Sequence, residues 1–257
     1  MGGALLEGLL AAGTYEPEQV AVIEPSVTRR RQLTERHPEL LILDSVEAEL
    51  CDADGGVVLA VKPDQADQAA LLCSGLGARR LLSVVAGIST ARLEQRLAAP
   101  VAVIRAMPNT PALVGAGTAA MSGGSSATSS DLAWAEQILS AVGTVVRVAE
   151  RHLDAVTALS GSGPAYLLVV AEALIDAGVL SGLPREVAAE LVAGTLAGTG
   201  RLLVESGRSA ESLRHDVTSP GGTTAAGLRI LELKAIRSAF IEAVMTAAER
   251  SRQLGAG

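Results

Sequence analysis

Hydrophobic and polar positions fall into two regimes along the chain. From residue 20 to about 150, short apolar runs alternate with polar stretches of helical spacing. VAVIE (20–24) is a β-branched run, and SVTRRRQLTERH after it has helical charge spacing, with Ser26 placed as an N-cap. ELLILD (39–44) is a second strand candidate. GGVVLAV (55–61) is a third, apolar throughout, as a strand covered on both faces should be. A helix over about 64–76, a strand at RLLSVVAG (80–87), a helix over about 90–98 and a strand at PVAVIRAM (100–107) continue the series. GGSSATSSD (123–131) has the composition of a surface loop capping a helix near 131–141, and TVVRVAE (144–150) reads as a last strand. Strands alternating with helices of about ten residues predict right-handed βαβ units and a parallel, doubly wound sheet, an α/β domain over residues 1–150.

Beyond 150 the period changes. Residues 151–257 read almost wholly helical, with apolar positions at 3.6-residue spacing. Gly178 and Gly182 act as stops, and Pro184 opens the next helix. The helix at 236–253 carries Ile236, Phe240, Val244, Ala247 and Ala248 on one face and charges on the other. These helices hold more Ala, Leu and Val than a lone small bundle needs. They predict a second, all-helical domain buried against another subunit, in a homodimer or a dimer-based oligomer.

The opening MGGALLEGLLAAG reads as a helix already under way, with no strand before it. In a dinucleotide-binding fold, a G-x-G-x-x-G turn joins the first strand to the first helix, whose N-terminus receives the pyrophosphate. Gly2 fits the third glycine of that turn and Met1 the residue before it. In the usual strand order the first strand is central. Removing it leaves its neighbours about 9–10 Å apart, twice the interstrand spacing, with unpaired amides on both. The expectation is a chain short of its first strand and first two glycines by roughly ten residues, or else a sheet that closes up in an unusual way.

Composition narrows the chemistry. The net charge of −7 lacks the basic face that nucleic acid requires, and aromatics at 2% provide no stacking platform. The most apolar stretch, AYLLVVA, is cut short by Glu172, so no membrane span is expected, and no secretory signal is legible at the start. The cytosol is the expected compartment. Cys51 and Cys73 make neither a disulfide framework nor a metal site. Lys62 and Lys234 are the only lysines, and His37, His152 and His215 lie far apart beside polar neighbours. No metal is expected, and no residue stands out as a general acid, base or nucleophile. Hydride transfer to an already electrophilic carbon needs little such help.

Several loops carry the candidate binding residues. Glu24 ends the VAVIE strand where an acidic residue would bind a ribose 2′-hydroxyl, whereas Ser26, Arg29 and Arg30 could hold a 2′-phosphate, leaving NADH and NADPH both open. VVLAVKPDQ (57–65) places Ala60, Val61, Lys62 and Pro63 at a strand's carboxyl edge, where open α/β sheets bind ligands. SVVAGIS (83–89) and RAMPNTPALVGAG (105–117) follow two further strands. Asn109, between two prolines, is suited to hydrogen-bond an amide such as nicotinamide. In the helical half, ALSGSGPAY (158–166) and DVTSPGGTTAAGL (216–228) are Gly/Ser/Thr-rich junctions. In the second, Ser219, Thr223 and Thr224 with the amides of a helix N-terminus make an anion site without a cationic side chain, one suited to a carboxylate.

AVKP, AGIS, MPNTPALVG, SGSGPAY and TSPGGTTAAGL, in this order and spacing, resemble pyrroline-5-carboxylate reductase over essentially the whole chain. The resemblance implies an N-terminal Rossmann-like parallel sheet and a C-terminal helical dimerisation domain. It implies NAD(P)H-dependent reduction of 1-pyrroline-5-carboxylate to L-proline, the last step of proline biosynthesis. Carried over by motif, Ala60 to Pro63 line the cofactor, Ala86, Gly87 and Asn109 lie near its nicotinamide end, and Ser219, Gly222, Thr223 and Thr224 hold the substrate carboxylate. Two departures stand out: the family's G-A-G-N-M-G type turn is represented only by Met1 and Gly2, and Ala116 replaces a common acidic residue. A β-hydroxyacid dehydrogenase is disfavoured, because the helix from Pro164 to Gly178 lacks that family's lysine. A cofactor-impaired paralogue acting as a structural partner is the remaining alternative.

Overall fold

The alternation seen in the sequence sets the order of elements in the computed structural model, which describes residues 1–46, 50–51, 55–97 and 101–255. Helix α1 (Gly2–Ala11) is followed by β1 (Ala21–Ile23), α2 (Val27–Arg36) and β2 (Leu41–Leu43). Next come β3 (Gly56–Leu59), α3 (Ala66–Cys73), β4 (Arg80–Ser83), α4 (Thr90–Glu94) and β5 (Ala102–Met107). Then follow β6 (Gly117–Gly123), α5 (Ser129–Ser140) and β7 (Gly143–Arg147). The predicted helix end at 98 and strand start at Pro100 lie outside the described residues.

Local chemistry explains several boundaries. The Ser26 hydroxyl accepts from the Arg29 amide at the start of α2. Thr128 and Asp131 form a reciprocal capping box on α5, and Arg80 of β4 reaches the same Asp131 carboxylate at 2.9 Å.

Strands β3, β4 and β5 are parallel, with Val57 opposite Leu81 and Leu81 opposite Val103. Their side chains alternate between two cores. Leu82 and Ile104 pack with Leu5, Met121, Ile138 and Leu139 under α1 and α5. Leu59, Leu81 and Val103 pack with Ala66, Ala70 and Leu93 under α3 and α4. The parallel Rossmann-like sheet is extended by β6, which pairs antiparallel with β5, and β7, which runs parallel to β6. The hydrophobic pattern does not predict β6. Its sequence GTAAMSG has weak strand propensity, and the pairing on both sides, with Ala119, Ala120 and Met121 buried, imposes the conformation.

The first two strands stand apart. β1 and β2 pair in parallel, Ala21 with Leu41 through Ile23 with Leu43, as a separate two-stranded sheet. Among the described residues no strand is hydrogen-bonded to the other edge of β1 or of β3. The sheet does not close up to join them.

The remaining elements are α6 (Leu153–Val156), a π-type turn at Thr157–Gly161, α7 (Gly163–Leu180), α8 (Arg185–Ser206), α9 (Ala210–Asp216), α10 (Thr223–Leu233) and α11 (Ile236–Gly255). Two compact units result: residues 1–162 with 247–257, and residues 163–246. The change of sequence character at 150/151 falls before this division, because the segment from 150 to the π-type turn packs with the first unit. α7 and α8 expose Leu167, Leu168, Leu174, Leu191 and Val204. By length and composition, residues 150–180 and 185–206 are apolar enough to cross a membrane. Glu172 therefore does not by itself interrupt the apolar helix, and the helices of a packed interface have the same length and composition.

Candidate functional site

The carboxyl ends of β3, β4 and β5 collect the sequence-predicted loops of the first unit. Met1 caps α1, and a Cβ on Gly2 would stand 3.1 Å from the Ala60 Cβ, so the first turn of α1 lies against the end of β3. A side chain there would have to displace Ala60 by a few tenths of an ångström, and the amides of the helix's first turn have no helical acceptor. Ala60, Lys62 and Pro63 are exposed and Val61 is half-buried. The Val84 amide donates to the Leu59 carbonyl at 3.0 Å and ties the loop after β4 to the end of β3. In that loop Ala86 is exposed and Gly87 has φ +76°, a left-handed conformation that a side chain would strain. These features fit a dinucleotide: helix amides for the pyrophosphate and glycines where it would run close to the backbone.

Asn109 differs from its expected use. Its Oδ1 accepts from the Thr118 amide at 2.8 Å, and its Nδ2 donates to the Ser160 carbonyl at 3.1 Å. Being 9% exposed, it spends its carboxamide mainly on the protein's own backbone. The result brings two motifs together: the MPNTP loop is stapled to the SGSG turn, whose Gly161 faces the Met107 side chain. Such π-type turns recur at functional sites.

At the end of β1, Glu24 accepts from the Ser26 amide at 2.9 Å and lies 3.8 Å from Arg29. Arg30 donates to the Glu24 and Pro25 carbonyls at 2.8 Å each and fixes the turn. Arg29, with its side chain 72% exposed, is therefore the cation available to a ligand here.

The second unit carries the other motif. Gly222 caps α10, its amide donates to the Ser219 carbonyl at 3.1 Å, and Thr223 and Thr224 form the first turn with no acidic residue among them. Gly221 has φ +71°. A cleft of about 520 Å³ in this unit is lined by Ser209, Glu211, Ser212, Arg214, His215, Thr218 and Leu228, so a carboxylate stands in it beside the arginine. Arg214 supplies a cation that the sequence reading missed, because it lies a turn upstream of the motif on α9.

Among the described residues no group of three His, Cys, Asp or Glu could hold a metal. Burial pushes the Cys73 thiol up to about 11, with Cys51 adding to the shift, so Cys73 is no thiolate nucleophile at neutral pH.

A relative named pyrroline-5-carboxylate reductase, from Synechocystis, is 44% identical over 256 residues, which are 99% of this chain and 95% of that protein. The chain belongs to the pyrroline-5-carboxylate reductase family. The family description "pyrroline-5-carboxylate reductase dimerisation" matches residues 150–254. A solved pyrroline-5-carboxylate reductase from Coxiella burnetii aligns with a TM-score of 0.89 at 32% identity, over 98% of this chain and 94% of that one. A Plasmodium falciparum pyrroline carboxylate reductase solved with NADP bound aligns with a TM-score of 0.85, also at 32% identity, over 99% and 94% of the two chains. For this family of NAD(P)H-dependent oxidoreductases, the exposed apolar faces of α7 and α8 fall within the dimerisation match. Sequence reasoning missed one group altogether: Arg105, Thr90 and Glu150, which converge behind the loop at Ala86–Ser89.

Proposed function

We propose that this chain reduces 1-pyrroline-5-carboxylate to L-proline with NADPH or NADH, closing proline biosynthesis, and works in the cytosol as a homodimer or a dimer-based oligomer. The observation that carries this reading is the near full-length 44% identity to a pyrroline-5-carboxylate reductase, together with the AVKP, AGIS, MPNTPALVG, SGSGPAY and TSPGGTTAAGL motifs. Residues 1–150 carry the dinucleotide-binding part and 151–257 the helical part, of which 151–162 and the end of α11 pack with the first unit. Met1 and Gly2 at the α1 N-terminus hold the pyrophosphate, while Ser26 and Arg29 hold the adenosine ribose end. Ala60, Val61, Lys62 and Pro63 line the cofactor, with Ala86, Gly87 and Asn109 at its nicotinamide end. Ser219, Gly222, Thr223 and Thr224 accept the substrate carboxylate through helix amides and hydroxyls.

The nicotinamide cofactor, when bound, supplies a hydride to the imine carbon, and a proton reaches the ring nitrogen from solvent or a bound water. The protein's part is to position and to exclude water, so no side chain is assigned as acid or base. The apolar faces of α7 and α8 are covered by a second copy of the chain.

The test is the loss of NADPH absorbance with 1-pyrroline-5-carboxylate, together with calorimetric titration of NADPH. Saturable turnover and saturable binding are expected. Absence of both would overturn the reading in favour of a structural partner.

A further inference from the structure

An arginine inside a buried strand needs a reason. Arg105 sits in β5 at 7% exposure, with the buried serines Ser83 of β4 and Ser122 of β6 as its register partners on either side. A guanidinium so placed is costly unless paired. Its partner is Glu150, 3.4 Å away, on the turn that follows β7. The same carboxylate also accepts the Thr90 amide at 2.8 Å and the Thr90 hydroxyl at 2.6 Å.

Thr90 is the first residue of α4 and is 4% exposed. It directly follows Ser89, the last residue of the loop assigned above to the nicotinamide end. The loop is held from its other side as well. Gly87 lies against the backbone of Leu254 and Gly255 at the end of α11, about 3.7 Å from where its Cβ would stand. That end of α11 is tied by Ser251, whose hydroxyl donates to Asp154 at 2.7 Å. Glu150 and Asp154 belong to one short stretch of chain. Residues 150–154 therefore bear on the loop twice, directly through Glu150 at Thr90 and indirectly through Asp154 and the end of α11 at Gly87.

We propose that Glu150, anchored by Arg105, is a positioning residue for the reduction. It holds Thr90 and thereby fixes the loop that receives the nicotinamide end. The proposal rests on the functional reading above. Hydride transfer is sensitive to small displacements, so loss of this contact should cost rate more than binding.

Thr90→Val tests it with the least disturbance, because it removes the hydroxyl contact and leaves the Arg105–Glu150 pair intact. With the full chain, kcat should fall about tenfold. The NADPH Kd should weaken a few-fold, while the Kd for 2′-phospho-ADP-ribose, which lacks nicotinamide, should stay unchanged. Thr90→Ser should restore kcat. Glu150→Ala should lower kcat further, and adding Thr90→Val to it should cost nothing more, since both act through one contact. Wild-type kcat in Thr90→Val, equal loss of fragment and NADPH affinity, or additive losses in the double variant would each overturn the positioning role. A wild-type chain without turnover or NADPH binding would overturn the functional reading itself, and this proposal with it.

Discussion

The two sheets of the first unit are built from similar residues and differ in what covers them. In the five-stranded sheet, β5 is buried along five of its six residues, between Leu5 and Leu139 on one face and Ala70 and Leu93 on the other. In the two-stranded sheet, neither AVI nor LIL has a fully buried residue, and α2 has none either. Ile23 alone of β1 packs on the core under α3 and α4. Strand propensity is comparable in the two places, so the difference lies in packing. A β-branched residue contributes by burial, and burial requires a neighbour on each face. A two-stranded sheet with one covered edge is marginal by itself.

One chemical change made in both places breaks the comparison most sharply. Ile104→Ala should cost about 3 kcal/mol, because Ile104 is wholly buried and leaves a cavity. Ile42→Ala in β2, only half-buried, should cost about 1 kcal/mol or less. Urea unfolding of both variants measures this, and equal costs would show that the small sheet is packed as tightly as the large one. Hydrogen exchange provides the companion reading: β1 and β2 amides should open at lower free energy than those of β4 and β5.

The same contrast explains what the sequence made legible. Runs such as GVVL and AVIRAM announce themselves because each is covered on both faces, and their periodicity records it. β6 left no such trace, since its small residues acquire strand geometry only from β5 and β7. Among site residues, the loops at 60–63 and 86–89 were visible as turns at strand ends. The role of Asn109 was not, because the groups that occupy its carboxamide, Thr118 and Ser160, are brought to it by folding. Arg105 is a charge in the apolar run VAVIRAM, and the sequence reading passed over it. Its partner Glu150 lies 45 residues further on, and no local pattern connects the two.

A smaller effect is expected at the edge of the two-stranded sheet, where ligand chemistry meets weak packing. Glu24 places a fixed carboxylate beside Arg29, 3.8 Å away and largely exposed. A 2′-hydroxyl can donate to that carboxylate, whereas a 2′-phosphate is repelled by it and attracted by Arg29. Glu24→Gln should therefore shift the ratio of NADH to NADPH dissociation constants about tenfold toward NADPH, or about 1.4 kcal/mol. Arg29→Ala should shift it the other way. Titration of each cofactor measures both. A ratio unmoved by either change would mean that the adenosine ribose does not reach this turn.

The smallest effect concerns how the two-stranded sheet is fastened to α1. Glu7 on α1 meets His37 at 3.0 Å and Arg36 at 2.9 Å, both at the end of α2. The His37 hydrogen bond, opposed by desolvation and helped by Arg36, holds the Glu7 carboxyl below its ordinary value of 4.5. A carboxylate lowered in the folded state stabilises the fold above its unfolded value, and that contribution is lost as pH falls through the lowered folded value. Glu7 is 43% exposed, so solvent screens the pair and its worth is about 0.5 kcal/mol or less. Glu7→Gln should thus be slightly less stable than wild type at pH 6–7, and the gap should close as pH drops well below 4.5. High salt should narrow the gap at neutral pH as well, since the pair is exposed. A gap that persisted unchanged into acid would mean that Glu7 acts through packing of its stem, and that the small sheet is held to α1 by apolar contact alone.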